Sequence, residues 1–304
     1  MSTPDLAAQA AAPLVVTGSS GFVGRALMGH WGQYARGLSL RDQAQDWTAA
    51  LAGARTVVHL AARVHVMRDK DPDPLAAFRQ VNVQTSVRLA QCAAEAGVRR
   101  LVFLSSVKVM GEHSAPDRPF KESDTPQPDD AYGHSKWEAE QALTKLCSAR
   151  GLELVVIRAP LVYGPGVKAN FAALLRAVYA GWPLPLGAVD NRRSLLSLDN
   201  LIDFITLCCH HRQAANQTFL VSDGHDVSTA QLLGHMAQAL GRRSRTFSVP
   251  VPLLRLAGGL LGRRAALDRL CGNLQVDIAK ARKLLDWEPP QSIDEGLLKA
   301  VSAL

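Results

Sequence analysis

The sequence predicts an α/β protein: a doubly wound parallel sheet with a smaller, mostly helical C-terminal lobe. Three observations predict it. Short, near-continuous β-branched and apolar runs recur at residues 14–16, 56–60, 101–104 and 154–157. Stretches of helical periodicity separate them. A glycine-patterned turn follows the first run. Uninterrupted apolar strands alternating with helices indicate parallel strands covered on both faces.

The elements follow in order. Residues 1–12 are Ala-rich and aperiodic, so a loose tail is expected there. The run Leu14-Val15-Val16 reads as the first strand, ending in Thr17-Gly18, and a helix follows from Phe22. Residues 37–41 read as the second strand, with a helical stretch near residues 47–51. Residues 78–96 read as one long helix stopped by Gly97. Residues 114–130 are rich in Pro, Asp and Ser and predict an irregular loop before a helix that starts near Ala131. Past Tyr163 the pattern loosens, with a strand-like run at residues 218–221. This divides the chain into a dinucleotide-binding domain over 13–165 and a lobe over 166–304, with about 190–222 returning to the core.

Composition narrows the function. The chain has 304 residues, is 47% hydrophobic and carries a formal net charge of +7. The basic residues are scattered, the longest runs being pairs such as Arg99-Arg100, so no nucleic-acid partner is expected; phosphorylated small molecules fit better. No apolar run reaches the roughly 20 residues that span a bilayer. Residues 251–261 are the most apolar stretch, interrupted by Arg255; they read as a lobe helix with snorkelling arginines and not as a membrane insertion. The five cysteines form no CxxC pair and no secretory signal is evident, which predicts reduced thiols and a cytoplasmic protein. No His/Cys/Asp cluster has ligand spacing, so no metal is expected.

The turn Thr17-Gly18-Ser19-Ser20-Gly21-Phe22-Val23-Gly24 lies between a strand and a helix. Gly18 permits the tight turn, Gly21 lets backbone approach a pyrophosphate, and Gly24 lets the helix pack on the strand. The helix N-terminus then faces the phosphates with unpaired N–H groups. Tyr132-Gly133-His134-Ser135-Lys136 places Tyr and Lys one helical turn apart on one face. An ammonium beside a phenol is expected to lower its pKa from near 10 toward useful acid–base chemistry. Ser105-Ser106 closes an apolar strand, where open α/β sheets bind ligands. Arg41, twenty residues after Gly21, favours NADP(H) through a 2′-phosphate; Asp42 beside it keeps NAD(H) open.

The Gly-x-x-Gly-x-x-Gly spacing resembles that of extended short-chain dehydrogenases/reductases, the NAD-dependent epimerase/dehydratase family. The likeness continues through Val58-His59-Leu60-Ala61-Ala62, Val81-Asn82-Val83, Arg158-Ala159-Pro160-Leu161-Val162-Tyr163-Gly164-Pro165 and Leu284-Leu285-Asp286-Trp287-Glu288-Pro289. It implies a Rossmann-type sheet, with Gly18, Ser20, Gly21, Phe22, Val23, Gly24, Arg41, Leu60, Ala61, Ala62, Asn82, Tyr132 and Lys136 at the cofactor. It implies Ser106 (or, failing that, Ser105), Tyr132 and Lys136 as the catalytic set. Met110 departs from the family's usual Tyr and unsettles a substrate contact there. The segment Gly164 to Phe171 is similar to reductases of UDP-4-keto-6-deoxy-N-acetylglucosamine. On that likeness Asn170, Arg193 and, less closely, Arg269 contact the diphosphate of a UDP-sugar. The expected reaction is therefore NAD(P)-dependent reduction of a sugar C4 carbonyl in polysaccharide synthesis. A UDP-sugar 4-epimerase with tightly held NAD is the alternative, and a non-catalytic dinucleotide sensor a distant one. The likeness also allows a homodimer through the Tyr/Lys helix.

Overall fold

The computed structural model describes residues 13–42, 44–64, 73–260, 262 and 264–302. The tail expected over residues 1–12 lies outside them. In chain order the elements are β1 (Leu14–Thr17), α1 (Phe22–Trp31), β2 (Ala35–Leu38), α2 (Trp47–Leu51), β3 (Thr56–His59), α3 (Pro74–Arg79), α4 (Thr85–Glu95), β4 (Arg100–Ser106), α5 (Ala131–Arg150) and β5 (Glu153–Ala159). They continue as β6 (Leu161–Tyr163), α6 (Ala169–Tyr179), β7 (Leu195–Ser197), α7 (Leu198–His210), β8 (Gln217–Leu220), α8 (Thr229–Ala239), α9 (Val251–Leu260), α10 (Arg264–Cys271), α11 (Ala279–Leu285) and α12 (Ile293–Val301).

The main sheet is parallel, in the order β2-β1-β3-β4-β5-β8. Strand alternation divides its side chains between two layers. Val16, Val58, Val102 and Ile157 pack with α1, α7 and α11; Val15, Val57, Leu101, Phe103 and Val156 pack with α2, α4 and α5. That two-sided burial is why the strand sequences show no polar face. Each fully buried Leu, Ile or Phe contributes about 1.5–3 kcal/mol. A third core cluster joins α6, α8, α9 and α12. Strand order reverses between β1 and β3, and the crevice beyond that reversal is where such sheets take ligands.

Two expectations shift. The second strand ends at Leu38, not Arg41. Ser39 therefore follows the strand end, and exposed Arg41 lies beyond it in a bend. The long helix over 78–96 is broken: a π turn at Gln80–Gln84 separates α3 from α4. The short parallel pair β6–β7 is an addition that the loosened sequence pattern did not reveal. No helix among the described residues is long and apolar enough to cross a membrane.

Candidate active site

The glycine turn is built from backbone on backbone. Gly18 has φ 69°, and a Cβ there would lie 2.7 Å from the Ala61 amide nitrogen. A Cβ on Gly24 would lie 2.2 Å from the Gly18 carbonyl oxygen. No side chain fits at either place, so β1, α1 and the segment after β3 close on one another. Gly21 is the N-cap of α1 and offers no side-chain cap, which leaves the first-turn amides free for an anion. Ser20 and Gly21 are exposed; Phe22, Val23, Leu60, Ala61 and Ala62 are half-buried along the same crevice. This cradle fits the pyrophosphate of a dinucleotide.

Beneath it runs a directed chain of hydrogen bonds. The Ala61 amide donates to Thr17 Oγ1 at 3.3 Å, and Thr17 Oγ1 meets His59 Nδ1 at 2.7 Å. His59 Nε2 meets Ser86 Oγ at 2.7 Å, and Ser86 Oγ donates to the Asn82 carbonyl at 2.7 Å. Because Ser86 spends its proton on Asn82, its oxygen accepts from His59 Nε2–H, and Nδ1 then accepts from Thr17. Burial and the nearby Lys136 charge hold His59 neutral, with its pKa lowered to about 3.

Asn82 has partners on two segments. It is buried in the π turn, and its amide nitrogen donates to the Arg63 carbonyl (3.0 Å) and to Ser135 Oγ (2.9 Å). Its amide oxygen accepts from the Arg63 amide at 2.8 Å. With both donor hydrogens spent, Asn82 braces the segment after β3, the predicted edge of the cofactor crevice, against α5. π turns recur where such an inserted residue is put to use.

The catalytic candidates converge where α5 lies across the end of β4. Asp130 caps α5, accepting from the Gly133 amide at 2.7 Å. Tyr132, Lys136 and Glu140 then repeat every fourth residue on one helix face, and each meets one of the last three residues of β4. The Tyr132 phenol lies beside the Ser106 hydroxyl, which favours its ionised form. Lys136 Nζ donates to the Leu104 carbonyl at 2.7 Å and lies 3.8 Å from the centre of the Phe103 ring. Glu140 receives the Ser105 hydroxyl. Alternation along β4 thus separates the two serines: Ser106 faces Tyr132 and Ser105 is committed to Glu140. His134, inside the motif, is exposed.

Two residues that sequence reasoning passed over support this register. Glu140 forms a buried ion pair with Arg158, whose Nη2 lies 2.7 Å from Oε2, and Arg158 Nη1 donates to Met110 Sδ at 2.9 Å. Met110 is therefore buried beside that pair, which accounts for an apolar residue where the family carries Tyr. Gly133 is the second: a Cβ there would lie 2.7 Å from the Lys108 carbonyl. Gly133→Ala is expected to push the first turn of α5 off the Ser106–Met110 segment and slow turnover on the order of tenfold or more, since small misplacement of reacting groups is costly. Steady-state kinetics beside an unchanged circular dichroism spectrum checks it.

The surroundings of the two groups push their pKa values the other way from that expectation. Burial, then the Asp130 carboxylate, raise Tyr132 to about 12, against a lowering by the Ser106 hydroxyl. Burial lowers Lys136 to about 7, opposed by Glu140. A lysine that is depressed on folding favours stability above its unfolded value near 10.5 and loses that contribution as pH falls toward 7. Lys136→Met is therefore expected to stabilise the ligand-free protein most below about pH 7. That gain should shrink between pH 7 and 10, by at most about 1.4 kcal/mol per pH unit. Urea denaturation of both proteins across this range measures it.

In the lobe, Arg193 Nη1 donates to the Arg269 carbonyl at 2.7 Å and the Gly272 carbonyl at 3.0 Å. The Nε of Arg269 is buried without a partner. The two predicted arginines are thus neighbours, and Glu112 acts electrostatically on Arg193 while bonding Lys108 at 2.8 Å. A cavity of about 440 Å³ lies alongside, lined by His113, Asn191, Gly272 and Asn273 among others. Asn170 is exposed in the first turn of α6. Among the described residues no group of three His, Cys, Asp or Glu is placed to hold a metal.

The chain is similar to known proteins in sequence and in fold. The chain is 48% identical over 259 residues to a UDP-glucose 4-epimerase of Vibrio cholerae, covering 85% of this chain and 79% of that protein. It is 29% identical over 274 residues to an N-acetyl-alpha-D-glucosaminyl-diphospho-ditrans,octacis-undecaprenol 4-epimerase of Escherichia coli O157:H7, covering 85% and 80%. The fold matches MoeE5 in complex with UDP-glucuronic acid and NAD, with a TM-score of 0.76 at 22% identity over 96% of this chain and 98% of that one. A profile of the NAD dependent epimerase/dehydratase family matches residues 14–222, the stretch that holds the glycine turn and the Ser106, Tyr132 and Lys136 cluster, and the chain belongs to that family.

Proposed function

We propose that the protein is a 4-epimerase that inverts C4 of a UDP-linked hexose and keeps NAD bound through the cycle. The observation that carries this reading is the meeting of Tyr132, Ser106 and Lys136 at the end of β4 in a chain so similar to a protein named UDP-glucose 4-epimerase. The 4-keto reduction read first from the sequence uses the same residues. Both relatives described above are epimerases by name, and the weight moves to inversion.

Bound NAD supplies a reversible hydride acceptor at the sugar carbon. The chain's own residues handle the proton and the geometry. Tyr132 takes the proton from the C4 hydroxyl and later returns it, and Ser106 hydrogen-bonds the same oxygen. Tyr132 needs a cationic neighbour to ionise near neutral pH, and Lys136, cationic below about pH 7, is the one on its helix face. Inversion requires the sugar ring to present either face of C4, so binding must rest on the diphosphate. Arg193, with Asn170 and Arg269, serves as that anchor.

The NADP(H) preference read from Arg41 gives way to NAD. Arg41 lies beyond the strand end, while the Asp42 carboxylate is bound within its own loop, accepting from the Ala44 amide at 2.9 Å. Ser39 at the strand end is neutral, so neither residue decides the matter. The test is to release and identify the nucleotide that the purified protein retains, then supply UDP-glucose and UDP-N-acetylglucosamine. Retained NAD and appearance of the C4 epimers without net NADH support the proposal. NADPH consumption with a UDP-4-keto-6-deoxy sugar, and no epimer, would restore the reductase.

A further inference from the structure

Helix α9 packs into the lobe along one narrow edge, through Leu254 and Gly258. Among its leucines only Leu254 is buried; Leu253, Leu256 and Leu260 form a stripe at i, i+3 and i+7 and are 56%, 63% and 82% exposed. Exposed aromatic residues lie on the segment that leads into α9 and on the loop bonded to it. The Leu184 amide bonds the Arg245 carbonyl and the Phe247 amide bonds the Leu184 carbonyl, both at 3.0 Å. This seats the loop of Trp182 beside the segment that leads into α9. Trp182, Tyr179 and Phe247 are all exposed. An exposed Leu is ordinary, but a run of leucines joined to three aromatic rings marks an interaction surface.

The charge around this surface is predominantly basic, with Asp268 facing Arg255 and Arg264. Between Asp226 and Asp268 the sequence carries Arg242, Arg243, Arg245, Arg255, Arg263 and Arg264 and no Asp or Glu. Arg242 lies over the Tyr179 ring at 4.6 Å, and Arg245 donates to the Gly181 carbonyl at 3.2 Å, so the basic and aromatic groups are interleaved. Arg255 and Arg264 approach Asp268 only loosely, at 3.4 and 3.9 Å, and stay exposed. We propose that α9 and the adjoining Trp182–Phe247 surface dock on an anionic phospholipid bilayer. The leucines would enter the acyl boundary, the aromatic rings would lie at headgroup level, and the arginines would meet lipid phosphates. A second copy of the chain fits less well, because a two-fold contact would set arginines against arginines. The docking does not depend on which C4 chemistry the cleft performs.

The test is co-sedimentation of the full chain with vesicles of phosphatidylcholine alone and of phosphatidylcholine with phosphatidylglycerol. Binding is expected only with the anionic lipid and should weaken with added salt. Leu256→Glu should reduce it on the order of tenfold or more by removing an inserted apolar group and adding a like charge. Arg243→Gln should reduce it by roughly fivefold. Both variants should keep the wild-type melting temperature and sugar turnover. Equal or absent binding to both vesicles, or undiminished binding by Leu256→Glu, would overturn the proposal. So would a drop in sedimenting mass in the Leu256→Glu variant without lipid, which would assign the surface to a second copy.

Discussion

Tyr132→Phe is expected to lower epimerase turnover by about 10²–10⁴-fold, the usual size of a positioned acid–base group. The substitution removes one oxygen and little else. The ring keeps its edge-on packing against Phe78, with centroids 6.1 Å apart. The lost contact with the Ser106 hydroxyl costs at most about 0.5–1.5 kcal/mol, so the fold should survive. Retained NAD and the melting temperature should match the wild type. Rates from time-resolved NMR of the sugar nucleotides, read beside cofactor content, separate lost chemistry from lost binding. A loss of less than tenfold would remove Tyr132 from the proton transfer.

The second large effect concerns stability. Glu140→Ala should destabilise the protein by about 3–5 kcal/mol, because it leaves the buried Arg158 guanidinium without its carboxylate. Glu140→Gln combined with Arg158→Met should recover much of that loss, since replacing a whole buried pair with neutral groups is often tolerated. Arg79 and Glu138 give the contrast: their 2.6 Å contact is at the surface, and Arg79→Ala should leave stability little changed. Urea titrations of the three variants test the ranking. If Glu140→Ala and Arg79→Ala prove alike, the buried network does not hold the end of β4.

The main sheet was legible because its signals are local. The apolar runs of β1, β3, β4 and β5 and the glycine turn each declare themselves within a few residues. Tyr132 and Lys136 were legible for the same reason, being one turn apart. What the sequence concealed depends on distant partners. The π turn at Gln80–Gln84 follows from bonds between Asn82 and both Arg63 and Ser135. The choice between Ser105 and Ser106 depends on which serine faces Glu140, a residue on another element. The Glu140–Arg158 pair left one signal, a charged residue inside the apolar run of β5, that could have prompted a search for its partner. Reductase and epimerase remain alike at the sequence level because proton and hydride handling at C4 uses the same side chains in both. The exposed stripe on α9 was hidden for a different reason: apolar periodicity shows that a helix has an apolar face, not what covers it.

Conversion of UDP-[4-²H]glucose tests the central claim most directly. The account predicts UDP-galactose with deuterium retained at C4, no accumulation of reduced nicotinamide, and no conversion by Tyr132→Phe. Failure to form the C4 epimer, or deuterium lost from C4 with stoichiometric cofactor turnover, would contradict it.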